Sequence, residues 1–131
     1  MSESPGQPRR FVVLRHQRGP DVHWDVMIED GDHLATWRMD RPPHEVAAEP
    51  VPLVRIQDHP LRFLTYTGPV QKDTGHVERA DAGTCVFEGP LPGGLARLSG
   101  RHLRGTFRLE PMGDSGWVLQ RAGDAEAPPN K

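Results

Sequence analysis

The stretch RHQRGPDVHWDVMIED, residues 15–30, gathers His16, His23 and Asp25 among residues that are otherwise largely apolar or β-favouring. Two imidazoles and one carboxylate form the facial donor set of divalent Mn, Fe or Zn sites, which leaves other coordination positions open for water and substrate. Such a set belongs to catalytic rather than structural metal sites. His59 stands far off in the chain, between Asp58 and Pro60, at what reads as another strand end. The chain has seven histidines in 131 residues, so some clustering arises by chance, and a polar strand face without any metal stays open as the alternative. His33, His44 and His102 lie in or beside turns with no carboxylate at strand spacing and read as solvated.

For the three donors to meet, the elements carrying them must be paired strands. FVVLRH is a β-branched apolar run of strand length, and VHWDVMIED after it alternates with period two, so the two form a hairpin across QRGPD. On the second strand Trp24, Val26 and Ile28 share one face while His23, Asp25 and Met27 share the other. His16 ends the partner strand, near enough to converge with them.

EDGD is a tight turn, HLATWRM a third strand ended by DRPP, and HEVAAEPVP leaves room for one helical turn between prolines. LVRIQDHP is a further strand closing on His59. GHVERAD, GTCVFEG, LARLSGR, LRGTFRLEP and GWVLQRA follow as separate short candidates, each bounded by Gly, Pro or Asp. With 14 Gly and 14 Pro interrupting any helical period, the expectation is an all-β or mainly β fold. Its form would be a compact, closed or partly closed β-barrel with at most one or two short helical turns.

The length suits one domain and one core. Residues 1–10 and 122–131 are polar and Pro-rich and read as loose tails around a body at 11–121. Net charge is -2, which lacks the basic excess of a protein that wraps nucleic acid and leaves only a local basic site. All of the 16 basic residues except Lys72 and Lys131 are arginine, the side chain suited to forked phosphate contacts. Cys85 has no partner for a disulfide and reads as a small buried hydrophobe. With no apolar leader or span in the sequence, the expectation is a cytoplasmic protein away from membranes.

The ordered set FVVLRH, HWDVMIED, TWRMDRPP, IQDHPLRF, YTGPV, AGT, LRGTFRLE and GWVLQR resembles the 3′-phosphoesterase domain of bacterial DNA ligase D, especially its small stand-alone relatives. The likeness runs from about Phe11 to Arg121. It implies a β-barrel whose crevice holds a divalent ion, Mn2+ first and Zn2+ or another transition metal next. It also implies trimming of 3′ ends of DNA or of primers ending in ribonucleotides, beside a DNA ligase or polymerase of end-joining repair. By that resemblance His16, His23 and Asp25 bind the metal and His59 contacts the scissile phosphate.

The chain also departs from the family pattern. The first histidine spacing is one residue longer, and Met27 stands where the family has a phosphate-holding arginine. Arg41 replaces a lysine, Phe63 a tyrosine, and Val51 an arginine, with Arg55 nearby. Arg41 and Arg55 are therefore the expected substitutes for the missing positive charge. Losing one charge-assisted phosphate contact costs about 10²-fold or more where transition-state charge builds.

Two other readings fit parts of the pattern. A barrel that binds nucleic-acid ends or a repair partner without cutting would use Arg15, Arg18, Arg41 and Arg55. An iron and 2-oxoglutarate oxygenase would use His23, Asp25 and the distant His76, but lacks the expected arginine about ten residues beyond that histidine.

Overall fold

Two tight turns set the register of the first three strands. The computed structural model describes residues 7–70, 75–89, 92–114 and 116–122. Strand β1 (Pro8–Arg18) enters β2 (Asp21–Asp30) through Gly19 and Pro20, and β2 enters β3 (His33–Met39) through Gly31 and Asp32. Gly19 and Gly31 have φ of 58° and 68°, the left-handed backbone that two-residue hairpin turns require and glycine adopts without a Cβ clash. Counting outward from these turns, His16 pairs with His23 and Asp25 with Arg38.

One helical turn, α1 (Pro43–Val46), leads to β4 (Val51–Pro60), a 3₁₀ turn at Leu61–Leu64 and the two-residue β5 (Gly68–Pro69). Then come β6 (His76–Phe87), β7 (Gly94–Ser99), β8 (Arg104–Met112) and β9 (Gly116–Arg121). The order β1-β2-β3-β4-β9-β8-β7-β6 is antiparallel throughout, and β6 pairs back onto β1, so eight strands close into a barrel while β5 only flanks β6. Closure leaves those eight strands no open edge.

Two expectations about extents need correction. GHVERAD and GTCVFEG are one 12-residue strand rather than two. Gly83 does not end it; a Cβ there would lie 2.2 Å from the Ser99 carbonyl oxygen, so the glycine lets the β7 backbone come close. The chain also joins the barrel at Pro8 instead of Phe11, because Pro8 and Arg9 pair with Val86 and Cys85. Arg9 is buried and its Nη1 donates to the Glu29 carbonyl at 2.8 Å. Residues 1–6 and 123–131, the rest of the expected tails, lie outside the described residues.

The barrel carries two apolar clusters. The larger fills the interior with Phe11, Val13, Val26, Ile28, Trp37, Leu53, Phe87 and Phe107 among others. The smaller lies on the outer face, where Val12, Leu14, Met27, Leu34 and Val77 are covered by Phe63 of the 3₁₀ turn, with Leu61, Leu64 and Val70 packed against them. Asp81 is buried and accepts hydrogen bonds from the backbone N–H groups of Ala82, Arg101, His102 and Leu103, which ties the turn between β7 and β8 to β6. No helix among the described residues is long and apolar enough to cross a membrane.

Candidate metal centre

Because paired residues in a ladder share a face, the β1–β2 register alone puts His16 beside His23. Their rings meet edge to face at 4.7 Å, with His16 Nδ1 2.9 Å from His23 Nε2. His23 Nε2 is in turn 3.8 Å from Asp25 Oδ2. One donor atom from each of the three lies within 4.8 Å of the others. An ion with bonds of about 2.0–2.2 Å needs its donors roughly 3–4 Å apart, so the group closes on a divalent ion with small side-chain shifts. Burial pushes the His23 imidazole below its ordinary value, outweighing the pull of Asp25 in the other direction. Neutral imidazole is the form that ligates.

Asp25 is a buried carboxylate and is paired. Arg38, directly across the β2–β3 ladder, donates from Nε to Oδ1 at 3.0 Å and from Nη2 to Oδ2 at 3.4 Å. A ligating carboxylate fixed by an outer hydrogen-bond partner is the usual construction of metal sites. The residues present could therefore hold a metal ion, in number, donor type and support.

His59 comes to the same sheet face by a different route. The β3–β4 register slips between Leu34 and Thr36, so Thr36 pairs with Ile56 while Leu34 pairs with His59. The slip turns His59 outward, as a bulge re-aims a side chain. His59 Nδ1 lies 3.1 Å from Thr36 Oγ1 and 3.0 Å from the Gln57 carbonyl. Thr36 Oγ1 donates to the Leu34 carbonyl, so Nδ1 is the donor in these contacts and Nε2 lies outside them. His59 lines a cleft with Arg62, Phe63 and Tyr66, separate from the cavity at the triad. From Asp25 to Thr36 is one strand spacing and two residues, about 8 Å.

The two expected substitute cations lie elsewhere. Arg41 pairs with Glu49 at 2.5 Å and Glu45 at 3.6 Å beside α1. Arg55 pairs with Asp58 at 2.8 Å and lies over the Trp37 ring, on the interior-facing side of the sheet opposite to Asp25 and Arg38. His76 pairs across from Gln17, on the face away from His16, and has Glu78 at 3.7 Å. The third residue beside His23 and Asp25 is thus His16, and the oxygenase-type trio does not assemble.

Met27 and Phe63, which stand at family phosphate positions, pack in the same outer apolar cluster. The cluster over β1–β3 accounts for both. Met27 is 2% exposed, so this position contributes packing and no charge.

Arg38 and Thr36 are the residues missed by reading the sequence. The signal was present, since the two-residue turn after Asp30 places Arg38 opposite Asp25 and Thr36 opposite Met27. His33 also needs correction, because it is not a solvated residue without acidic partners. Its Nδ1 lies 3.1 Å from Asp32, and its Nε2 lies 3.3 Å from Asp58 and 3.6 Å from Asp30. Asp58 arrives from β4, a pairing that local spacing does not show. Cys85 is buried, and burial pushes its thiol up to about 12, which fits a packing role.

A cavity of about 490 Å³ at the triad is lined by His16, Arg18, Asp21, Val22, His23 and Arg38. A second of about 300 Å³ shares His23 and Arg38 and extends toward Pro52 and Val54. Compared with known families and curated proteins, the chain matches no family model and no curated sequence.

Proposed function

We propose that this barrel is a divalent-metal-dependent phosphoesterase acting at 3′ ends of DNA or of DNA primers ending in ribonucleotides. The observation that carries the reading is the convergence of His16, His23 and the buried Asp25, with the two histidines lining an open cavity. The ordered sequence resemblance supplies the substrate class. A divalent ion held there, Mn2+ or alternatively Zn2+, supplies Lewis-acid charge to a phosphoryl oxygen and acidifies water.

The chain's own residues do the rest. Arg38 holds the orientation of Asp25, and burial favours the neutral, ligating form of His23. Hydrolysis adds the oxygen of water to phosphorus and breaks the bond from phosphorus to the sugar oxygen, which leaves with a proton. His59 Nε2, the nitrogen not engaged by Thr36 and Gln57, is the position from which a protonated ring would donate it or hold a phosphoryl oxygen. Nucleic-acid 3′ ends as substrates would place the protein in the cytoplasm, beside a ligase or polymerase of end-joining repair.

The test uses a labelled DNA primer ending in one ribonucleotide, incubated with the protein or with His16→Ala, in Mn2+ or in chelator. Loss of the terminal nucleoside or phosphate is expected only with metal and an intact His16. Binding of the primer without cleavage would overturn the enzyme reading in favour of a barrel that holds nucleic-acid ends, which the packing of Met27 favours.

A further inference from the structure

With Met27 buried, and Arg41 and Arg55 engaged elsewhere, the phosphoester reading lacks a cation for the phosphoryl group. We propose that Arg38, assisted by Arg18, is the phosphoryl-binding element of this site, an inference that rests on that reading and assigns its anion contact.

Arg38 both touches a metal-ligand candidate and lines both cavities beside the triad. Its side chain keeps 40% exposure. A guanidinium has five N–H donors. One on Nε and one on Nη2 go to Asp25, which leaves the second on Nη2 and both on Nη1. The pair with Asp25 therefore anchors the group without exhausting it. A forked, pre-oriented cation of this kind binds phosphate with less ordering cost than a free side chain.

Arg18 lines the same cavity as Arg38, His16 and His23, with Asp21 as the carboxylate on its rim. The charges of Arg18 and Arg38 balance those of Asp21 and Asp25. A divalent ion on the triad then leaves the loaded site near +2, which matches the roughly −1.5 to −2 charge of a terminal phosphate monoester at neutral pH. The complementarity favours a 3′-terminal phosphate over an internal diester.

The test measures inorganic phosphate binding by 31P NMR on the full chain, with and without Mn2+, and Mn2+ binding separately by calorimetry. Wild type is compared with Arg38→Gln, Arg38→Lys and Arg18→Ala. Charge-assisted hydrogen bonds of this kind correspond to about tenfold or more in affinity. In the metal-free proteins Arg38→Gln should therefore weaken phosphate at least about tenfold, Arg38→Lys less, and Arg18→Ala by about threefold; Mn2+ affinity falls as well in Arg38→Gln, because Asp25 loses its outer partner. Unchanged phosphate affinity in Arg38→Gln overturns the assignment, as does a wild type that binds no phosphate. A loss of phosphate affinity in Arg38→Gln that appears only with Mn2+ present and not in the metal-free proteins also overturns it, since Arg38 would then only orient Asp25. If the wild type binds no Mn2+, the phosphoesterase reading fails, and the phosphate affinities of the metal-free proteins still decide the role of Arg38.

Discussion

Arg38 lies opposite Asp25 on neighbouring strands and forks onto both oxygens of its carboxylate, at 3.0 and 3.4 Å. This pair holds a buried anion next to two imidazoles. It fixes the orientation of the carboxylate, as outer hydrogen-bond partners do for metal ligands.

Asp25→Asn removes the anionic donor and should lower Mn2+ affinity by about 10–100-fold or more. Because Arg38 remains in partial contact with water, the fold should lose only about 1 kcal/mol. Calorimetric titration with Mn2+ and urea unfolding of the same variant check the two halves separately.

Met27→Arg would place the family's cation at its usual position, and it should fail. The side chain is buried with Val12, Leu14, Leu34 and Phe63, so a charge there meets no partner and should cost about 3 kcal/mol or more. Met27→Leu keeps the volume and should cost under about 1.5 kcal/mol. Urea midpoints of the two variants decide the point.

Asp81→Ala strips the acceptor from four backbone N–H groups, of which that of Leu103 is fully buried. A loss of about 3 kcal/mol or more is expected, and Asp81→Asn, which keeps one acceptor oxygen, should lose less. Amide exchange at 101–103 should rise in step with the loss of stability.

Gly83→Ala pushes a methyl group against the Ser99 carbonyl, 2.2 Å from the ideal Cβ. Backbone must move, so destabilisation of about 1–3 kcal/mol is expected, with the disturbance centred on the β6–β7 ladder. Amide chemical shifts of Thr84 and Ser99 locate it.

His33 supplies the pH dependence. The hydrogen bond that His33 donates to Asp32, followed by the nearby charges of Asp58 and Asp30, raises its imidazole above the ordinary value of 6.5. A raised folded-state value means that the native chain binds the proton more tightly than the unfolded one. The stabilisation is fully present below about pH 6.5 and is lost as pH rises through the folded-state value. His33→Gln should remove that segment of the stability profile, and salt should shrink it in the wild type because the ring is exposed. Urea midpoints from pH 5 to 8 give the comparison.

The strand-rich barrel class was legible because the evidence for it is local. Period-two alternation at 22–30, the turn glycines at 19 and 31 and the prolines around α1 act within a few residues of themselves. The same locality made His16, His23 and Asp25 visible, since they lie on one hairpin whose turn sets their register. Carried one strand further, that counting also reaches Arg38.

The sequence by itself determined the donor set, the hairpin that brings it together and the β architecture around it, because each follows from residue type and short-range spacing. Only the tertiary structure decided which residues surround that set. The slip in β3–β4 pairing turned His59 onto the Thr36 face, closure of β6 on β1 turned His76 away, and the covering 3₁₀ turn buried Met27 beneath Phe63. His33 found Asp58 by the same long-range packing, whereas Arg41 and Arg55 paired with acidic residues close to them in the chain. Which neighbouring strand a side chain meets depends on residues distant in sequence, and that information exists only once the barrel has closed.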